Sequence, residues 1–321
     1  MMRSQNQQAA IKRRTMLQQI FAASLSVNLT GLGSVSVASG QGVQVPIRRD
    51  YGRRLIAQAR FNGAGPFDFV VDTAASKSVI FHNLAVQGTI KPSDQAPEKI
   101  FGLTGVREAP VFHLGTITSG DIILEDHVAP VLPDWEEWAR TPQGILGLDA
   151  FENKMLVLDF PNGYMAVEDP AGNFAKKIRS EWTVSALVEN GFGITNRPLF
   201  LSEASIGRRP MPFLIDTGAA DTICNAVAAN FLRVFPRRNA LTREAQVTDT
   251  HGKSIKTLEL LSPSVKIGGK SWSHRNIYLT DAPFFEEIGY GDKPFGIMGL
   301  DHLSLQAMAI DLRAGELFLA P

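Results

Sequence analysis

The chain has 321 residues, which is enough for two domains of ordinary size or one large one, and 44% of them are hydrophobic. Its 32 basic and 32 acidic side chains balance, and the sequence lacks the clustered basic face that a nucleic-acid partner requires. The composition therefore predicts a soluble, globular protein that does not bind nucleic acid.

Residues 1–38 have the features of an export signal. The basic stretch KRRTML at 12–17 precedes a mildly apolar run that ends in a small-x-small pattern at 36–38. The pair Arg13-Arg14 resembles a twin-arginine signal, which is a bacterial feature. A Sec signal or an N-terminal anchor is the alternative, although polar residues interrupt the run too often for a membrane span. We expect a cleaved signal, a periplasmic or secreted protein, and no stable membrane span after signal removal.

A segment between the signal and the first motif, GQGVQVPIRRDYGRR at 40–54, allows two interpretations. Its basic residues could mask an active site as a short pro-segment, or the segment could be a ragged start of the folded chain. The second interpretation is the simpler one, and we expect it here.

Two apolar strands in the chain end in Asp-Thr. They read FVVDTAAS at 69–76 and FLIDTGAAD at 213–221, so that Asp72 and Asp216 occupy the same place in each. With a shift of 144 residues the chain matches itself without a gap over the 25 or so residues around each motif. A single Asp-Thr-Gly is common in turns. Two in matching contexts indicate a repeated unit.

A second landmark repeats at a shift of 152 residues. GILGLDAF at 144–151 matches GIMGLDHL at 296–303, and each is followed by a stretch that predicts a closing β-hairpin, at 156–167 and 308–319. Two short acidic stretches ahead of these elements, DWEEW and PFFEE, have helical character. The longest helical candidate is NAVAANFLRVF at 225–235.

These matches predict two copies of one β-rich unit. We expect a first lobe at 43–168, a polar linker at 169–182 and a second lobe at 183–321. Because two large copies can face each other across a twofold axis, equivalent turns of the two lobes can meet at the interface. The fold class is therefore all-β and bilobal.

The arrangement resembles the pepsin and retropepsin aspartic proteases. The resemblance rests on VVDTAAS and LIDTGAA, each followed by GILGLD or GIMGLD. It implies an acid-protease-like fold of two tandem retropepsin-like β-barrel lobes related by pseudo-twofold symmetry, with Asp72 and Asp216 as the catalytic pair. Two adjacent carboxyls share a proton, so one can activate a water while the other protonates the peptide carbonyl. The implied protein is a monomeric endopeptidase acting on a peptide or protein substrate, with no cofactor and no metal.

The resemblance also implies a set of residues that support the dyad. Thr73 and Thr217 are expected to bond across the twofold axis, and the N–H groups of Ala74 and Gly218 to hold the inner carboxylate oxygens. Ser76 is expected to belong to the same support.

The first turn departs from the family pattern, because it reads Asp-Thr-Ala where the family has Asp-Thr-Gly. The methyl of Ala74 is a modest steric demand that favours an alternative, a catalytically inactive peptide- or protein-binding module of the cell envelope. A second alternative is a structural envelope protein in which the aspartates only satisfy a buried interface. Ala75 and Ala219 replace the hydroxyl residues that pepsins often have, so an enzyme would have a less acidic optimum than pepsin.

Family members cover the cleft with a glycine-containing hairpin. KIFGLTGVRE at 99–108 is the first candidate, and QVTDTHGKSIKT at 246–257 is a second flap or a plain surface hairpin. The apolar tip of the first supplies the flap candidates Phe101, Gly102, Leu103 and Gly105.

The remaining reactive side chains do not suggest other chemistry. Cys224 is the only cysteine, so no disulfide can form within the chain, and its apolar neighbours predict a core position. The histidines lack the His-Glu-x-x-His spacing of zinc peptidases, and the sequence has no Gly-x-Ser-x-Gly element of serine hydrolases.

Overall fold

Strands account for 52% and helices for 13% of the computed structural model, so the predicted all-β class is confirmed. The structure describes residues 42–88, 90–135, 142–190, 199–232, 242–249, 253–262, 264–273 and 275–321. The predicted export signal lies outside these ranges, as do most of DWEEW and the end of the helical candidate at 225–235.

Twelve strands form in the first half of the chain. They are β1 (Val45–Arg49), β2 (Leu55–Phe61), β3 (Ala64–Val71), β4 (Val79–Phe81), β5 (Lys91–Pro92), β6 (Glu98–Gly102), β7 (Gly105–Ala109), β8 (Val111–Ser119), β9 (Ile122–Leu132), β10 (Gly144–Leu146), β11 (Met155–Asp159) and β12 (Tyr164–Glu168). Helix α1 (His82–Ala85) and a 3₁₀ helix (Leu148–Phe151) connect them.

Twelve more strands follow in the second half. They are β13 (Thr183–Asn190), β14 (Leu199–Ile206), β15 (Arg209–Ile215), β16 (Ile223–Asn225), β17 (Thr242–Thr248), β18 (Ser254–Leu261), β19 (Val265–Ile267), β20 (Lys270–Trp272), β21 (Asn276–Thr280), β22 (Gly296–Met298), β23 (Met308–Asp311) and β24 (Glu316–Leu319). The helices are α2 (Asn173–Glu181), α3 (Ala226–Leu232), α4 (Pro283–Glu287) and α5 (Leu300–Leu303).

The first half closes into a six-stranded barrel. Strands β2, β3, β10, β4, β9 and β8 pair in that order, and β8 returns to pair with β2. The closing strand β8 pairs with β9 from Val111 to Ser119 and, on its other edge, with β2 at Ile117 and Thr118. Closure leaves the buried apolar side chains of these strands inside one core.

The second half repeats this order of pairing with its closing strand divided in two. Strands β14, β15, β22, β16, β21 and β18 pair in sequence, and β19 makes the pairing to β14. The single strand β8 thus corresponds to β18 and β19 together. The eight extra residues of the second copy lie in the half where this division occurs.

One antiparallel sheet joins the two halves. Its order is β1, β12, β11, β23, β24 and β13, so the closing hairpins of both copies pair side by side through β11 and β23. The segment 169–182, predicted as a linker, contains helix α2, which buries Ala175 and Ile178. Arg179 of this helix forms an ion pair with the buried Asp311 of β23. The connection between the halves is therefore fixed by packing and charge.

The expectation of a ragged start at 40–54 is wrong for the described part of that segment. Strand β1 pairs with β12 at Val45 and Pro46 and with β2 from Ile47 to Arg49. Because β1 pairs with the barrel strand β2 and with β12 of the joining sheet, these residues belong to the folded structure, and Val45 is buried in it.

Candidate active site

The strand that leads to each aspartate is held by a parallel neighbour. Strand β3 pairs with β10 at Phe69 and Gly144, and β15 pairs with β22 at Phe213 and Gly296. A Cβ on either glycine would lie 2.2 Å from the ring of the paired phenylalanine. Both rings are fully buried. Gly144 and Gly296 therefore allow β10 and β22 to pack closely against the strands that lead to Asp72 and Asp216. This close packing fixes the positions of the two aspartates.

The turn at Asp72 is closed by three main-chain hydrogen bonds. The Asp72 N–H donates to the carbonyl of Leu146 at 3.0 Å, which ties the turn to the crossing strand. The Oδ1 atom of Asp72 accepts the N–H of Ala74 at 2.8 Å and that of Ala75 at 3.0 Å. One carboxylate oxygen is thus held by the main chain, and the methyl of Ala74 does not prevent this.

The turn at Asp216 has the same bonds. Its N–H donates to Met298 O at 3.1 Å, and its Oδ1 accepts from the N–H groups of Gly218 at 2.8 Å and Ala219 at 2.9 Å. The identical pattern leaves Oδ2 of each aspartate for interactions outside its own turn.

Two threonines lock the turns together. The Thr73 N–H donates to Thr217 Oγ1 and the Thr217 N–H to Thr73 Oγ1, both at 3.1 Å. The Thr73 hydroxyl donates to Ile215 O at 2.7 Å, and the Thr217 hydroxyl to Val71 O at 2.8 Å. Both side chains are buried, and the bonds are reciprocal, as a local twofold relation requires.

The two carboxyls form one electrostatic unit. A hydrogen bond joins the side chains of Asp72 and Asp216. Burial raises the pKa of Asp72, against the main-chain N–H bonds that lower it. Burial, followed by the charge of Asp72, raises the pKa of Asp216 well above its usual value. The two carboxyls therefore titrate as a coupled pair, in which a proton on one favours ionisation of the other.

The two turns differ at the third residue. A Cβ at Gly218 would lie 2.5 Å from both Cγ and Oδ2 of Asp72, so the carboxyl of the first turn fills the space beside the second. Position 74, by contrast, carries a methyl. The site is thus symmetric in its main-chain bonds and asymmetric in the space around its carboxyls.

A supporting pair behind the first turn was not predicted from the sequence. The Ser78 hydroxyl donates to Asp149 Oδ1 at 2.6 Å and accepts the N–H of Gly147 at 3.0 Å. The Ser78 N–H also donates to Asp149 Oδ1, at 2.7 Å. The predicted support residue Ser76 is half-buried on the same loop. The hydroxyl that joins the turn to the crossing strand belongs to Ser78.

The second turn has the equivalent pair. The Thr222 hydroxyl donates to Asp301 Oδ1 at 2.6 Å and accepts the N–H of Gly299 at 3.1 Å. A signal for both pairs was present in the sequence. A hydroxyl residue follows each catalytic-candidate aspartate by six positions, and an aspartate follows the Gly-Leu of both GILGLD and GIMGLD.

Both flap candidates form hairpins. Strands β6 and β7 make the first hairpin (Glu98–Ala109), which contains Phe101, Gly102, Leu103 and Gly105. Gly105 has φ +123°, a left-handed value that favours glycine. Strands β17 and β18 make the second hairpin (Thr242–Leu261), of which residues 250–252 lie outside the described ranges.

Other chemistries receive no support from the described part of the chain. Cys224 is fully buried, and burial raises the pKa of its thiol far above the usual value, so it is not a ready nucleophile. Over the residues with assigned structure, no His, Cys, Asp and Glu side chains cluster in a way that could hold a metal ion. None of the helices in these ranges has the length and apolar character needed to cross a membrane.

The closed barrel, the crossing glycine strands and the two joined aspartate turns define an all-β, acid-protease-like fold. Residues 57–150 match the family model described as aspartyl protease, and this match supports assignment of the chain to the aspartic protease family. The matched region contains Asp72 and ends within the 3₁₀ helix after GILGL. A comparison with curated proteins found no match.

Proposed function

We propose that the protein is an aspartic endopeptidase that hydrolyses peptide bonds with a water activated between Asp72 and Asp216. The observation that carries this proposal is the pair of Asp-Thr turns locked to each other by reciprocal threonine hydrogen bonds, in which burial raises the pKa of both aspartates. Each inner oxygen is fixed by two main-chain N–H groups, so the outer oxygens are oriented before substrate binds.

The proposed reaction uses the single shared proton. Ionised Asp72 accepts a proton from water as the water oxygen attacks the peptide carbonyl carbon, and Asp216 gives its proton to the carbonyl oxygen. The product is a tetrahedral diol. Its collapse breaks the C–N bond as the proton held by Asp72 passes to the leaving nitrogen and one diol hydroxyl gives its proton to Asp216, which leaves a carboxylic acid product and restores the starting state of the pair. No covalent bond to the protein forms at any step.

A catalytically inactive peptide- or protein-binding module is the second candidate, and Ala74 is the observation that favours it. The N–H of Ala74 nevertheless holds Asp72 Oδ1 at 2.8 Å, so the main-chain support of the first turn is intact. A purely structural role for the aspartates fits less well. Burial makes their ionised forms unfavourable, and a structural interface gains more from uncharged residues at these positions.

We further propose that the enzyme acts as a monomer in the periplasm or outside the cell after removal of an N-terminal signal. Both aspartates come from one chain, which supports the monomer, and the twin-arginine-like start of the sequence supports export. Fractionation of expressing cells, followed by sequencing of the mature N-terminus, tests location and cleavage together.

The pH profile follows from the direction of the pKa values. Activity needs Asp72 ionised and Asp216 protonated, so the profile is bell-shaped between the two pKa values. Because burial raises both, we expect an optimum that is less acidic than pepsin's. Activity confined below about pH 4 would contradict this expectation.

The test is incubation of residues 39–321, which include the whole compact unit, with a diverse peptide library between about pH 3 and pH 8. Mass spectrometry of the products gives the cut sites. The endopeptidase predicts internal cleavage that is lost in Asp72→Asn and Asp216→Asn. Peptide binding by a folded protein that cuts nothing, even after Ala74→Gly, would support the binding module.

A further inference from the structure

The first hairpin is attached to both halves of the molecule. At its base, Lys77 Nζ contacts Glu98 Oε1 at 2.6 Å, and Lys77 follows Asp72 by five residues. At its tip, Leu103 O accepts the N–H of Phe284, in helix α4 of the second half, at 3.4 Å. The hairpin therefore crosses from the half that carries Asp72 to the half that carries Asp216. It bridges the boundary at which a peptide has to bind.

A carboxylate of the second hairpin holds this tip. Asp249 Oδ2 accepts the N–H of Thr104 at 2.9 Å and the hydroxyl of Thr104 at 2.5 Å. Bonds to an ionised acceptor are stronger than those between neutral groups. Thr104 thus donates two hydrogen bonds, from its N–H and its hydroxyl, to one oxygen of a residue 145 positions away in the chain.

The same side chain also shapes its own hairpin. Asp249 Oδ1 accepts the N–H of Lys253 at 3.1 Å, and the Asp249 N–H donates to Lys253 O at 2.9 Å. One carboxylate therefore bonds to the ends of both hairpins, with one oxygen for each. A displacement of either hairpin tip has to break bonds to Asp249.

The turn of the first hairpin places Thr104 at the hairpin tip. Leu103 and Thr104 form a two-residue loop between the paired Gly102 and Gly105. The positive φ of Gly105 turns the chain sharply, and a Cβ there would meet nothing within 4 Å. Packing therefore does not hold Gly105 itself, whereas the neighbouring Leu103 is buried in the core, so the tip is held by that packing together with the polar contact of Thr104.

We propose that Asp249 is a positioning residue that latches the first hairpin onto the second and has to release Thr104 before a peptide can enter. The contact itself is independent of catalysis. The role of the latch in peptide entry rests on the proposed endopeptidase function.

The latch is tested by hydrogen exchange at the Thr104 amide, measured by NMR in the parent, Asp249→Ala, Thr104→Val and the double variant. We expect Asp249→Ala to speed exchange at Thr104 by at least about tenfold, because the amide loses its acceptor. Thr104→Val removes only the hydroxyl bond and should have a smaller effect. In the double variant exchange should be no faster than in Asp249→Ala, because both bonds end on the same carboxylate.

Two controls separate the latch from general loosening. Thr248→Ala removes a hydroxyl that contacts Ser254 within the second hairpin at 2.8 Å, next to Asp249, and should leave exchange at Thr104 unchanged. Thr104→Ser keeps both donors and should resemble the parent. Unchanged exchange in Asp249→Ala, or equal acceleration in Thr248→Ala, would overturn the latch.

Its role in entry is tested with a reversible tether made by Thr104→Cys together with Asp249→Cys. The one native thiol, of Cys224, is buried and does not compete. We expect the oxidised, cross-linked protein to have a kcat/KM at least about tenfold below that of the same protein after reduction. Equal rates in the two forms would overturn the gating role. If no form cleaves any peptide, the proposed function fails, while the exchange experiment still decides whether the latch exists.

Discussion

The side chain of Asp72 occupies the space that a methyl group on residue 218 would need. A Cβ there would lie 2.5 Å from Asp72 Cγ, so Gly218→Ala has to displace the carboxyl of the first turn. We expect kcat to fall by about a hundredfold or more, because a small misplacement of a reacting group has that effect. Ala74→Gly keeps the N–H that holds Asp72, and its activity should be at least that of the parent. Parent-like kcat in Gly218→Ala would contradict this account of the site.

The pKa of Asp216 has a consequence for stability that can be measured without a substrate. Because this pKa is higher in the folded than in the unfolded protein, protonation of Asp216 contributes to the free energy of unfolding. That contribution is fully present below the unfolded pKa of about 3.9 and is lost as pH rises through the folded pKa. Asp216→Asn removes this pH-dependent loss of stability. We expect its Tm to exceed that of the parent near neutral pH and the difference to shrink towards about pH 3.

A matched control for this stability effect is Asp292→Asn, which neutralises an exposed carboxylate. Its Tm should follow the parent across the pH range. If Asp216→Asn instead lowers Tm at neutral pH, ionised Asp216 is a stabilising group, and the shared proton in the proposed mechanism is not needed.

At the scale of the structural elements, the positions of β10 and β22 depend on the hydroxyl–carboxylate pairs Ser78–Asp149 and Thr222–Asp301. Thr222 is fully buried, and its hydroxyl serves both Asp301 and the N–H of Gly299. Thr222→Val keeps the shape and leaves Asp301, the N–H of Gly299 and Nδ1 of the buried His302 without that hydroxyl, so we expect a loss of about 1–3 kcal/mol in the free energy of unfolding. Thr222→Ser should lose less than half as much. Urea unfolding measures both, and a loss in Thr222→Ser larger than that in Thr222→Val would contradict the role given to the hydroxyl.

Much of the arrangement of these elements could be predicted from the repeat. The shifts of 144 and 152 residues place Phe69 with Phe213 and Gly144 with Gly296, and these are the residues that pair in the two halves. The repeat could not reveal that β8 corresponds to two strands in the second half, because strand division depends on local pairing that identical spacing does not encode. It also could not reveal the Thr104–Asp249 contact, which joins residues that are not equivalent in the two copies.

The hydrogen bonds behind the two aspartates show a different limit of prediction from the sequence. The resemblance predicts Ser76 as part of the support of the dyad, and the structure adds Ser78, whose hydroxyl bonds to Asp149 and Gly147. Comparison of positions 78 and 222 across the two halves could have indicated this residue. Side-chain direction on an irregular loop depends on the tertiary contacts around it, and a local sequence pattern does not encode those contacts.

At the scale of the whole molecule, the two aspartates depend on the sheet that joins the halves. Strands β11 and β23 pair from Met155 with Asp311 to Leu158 with Met308, and the threonine bonds tie the halves again at the turns. In the proposed mechanism, a peptide bond placed between the carboxyls meets an acid and a base from opposite halves of one chain. This is the arrangement from which hydrolysis is inferred.

The measurement that tests this claim most directly is the single-turnover rate of one cleaved peptide with the parent, Asp72→Asn, Asp216→Asn, the double variant and an equimolar mixture of the single variants. The account predicts that each single variant loses at least about a thousandfold in rate while remaining folded, because the two carboxyls act as one unit. The double variant should be no slower than either single variant, and the mixture should recover nothing, because the dyad belongs to one chain. A parent-like rate in either single variant, or recovery in the mixture, would contradict the account.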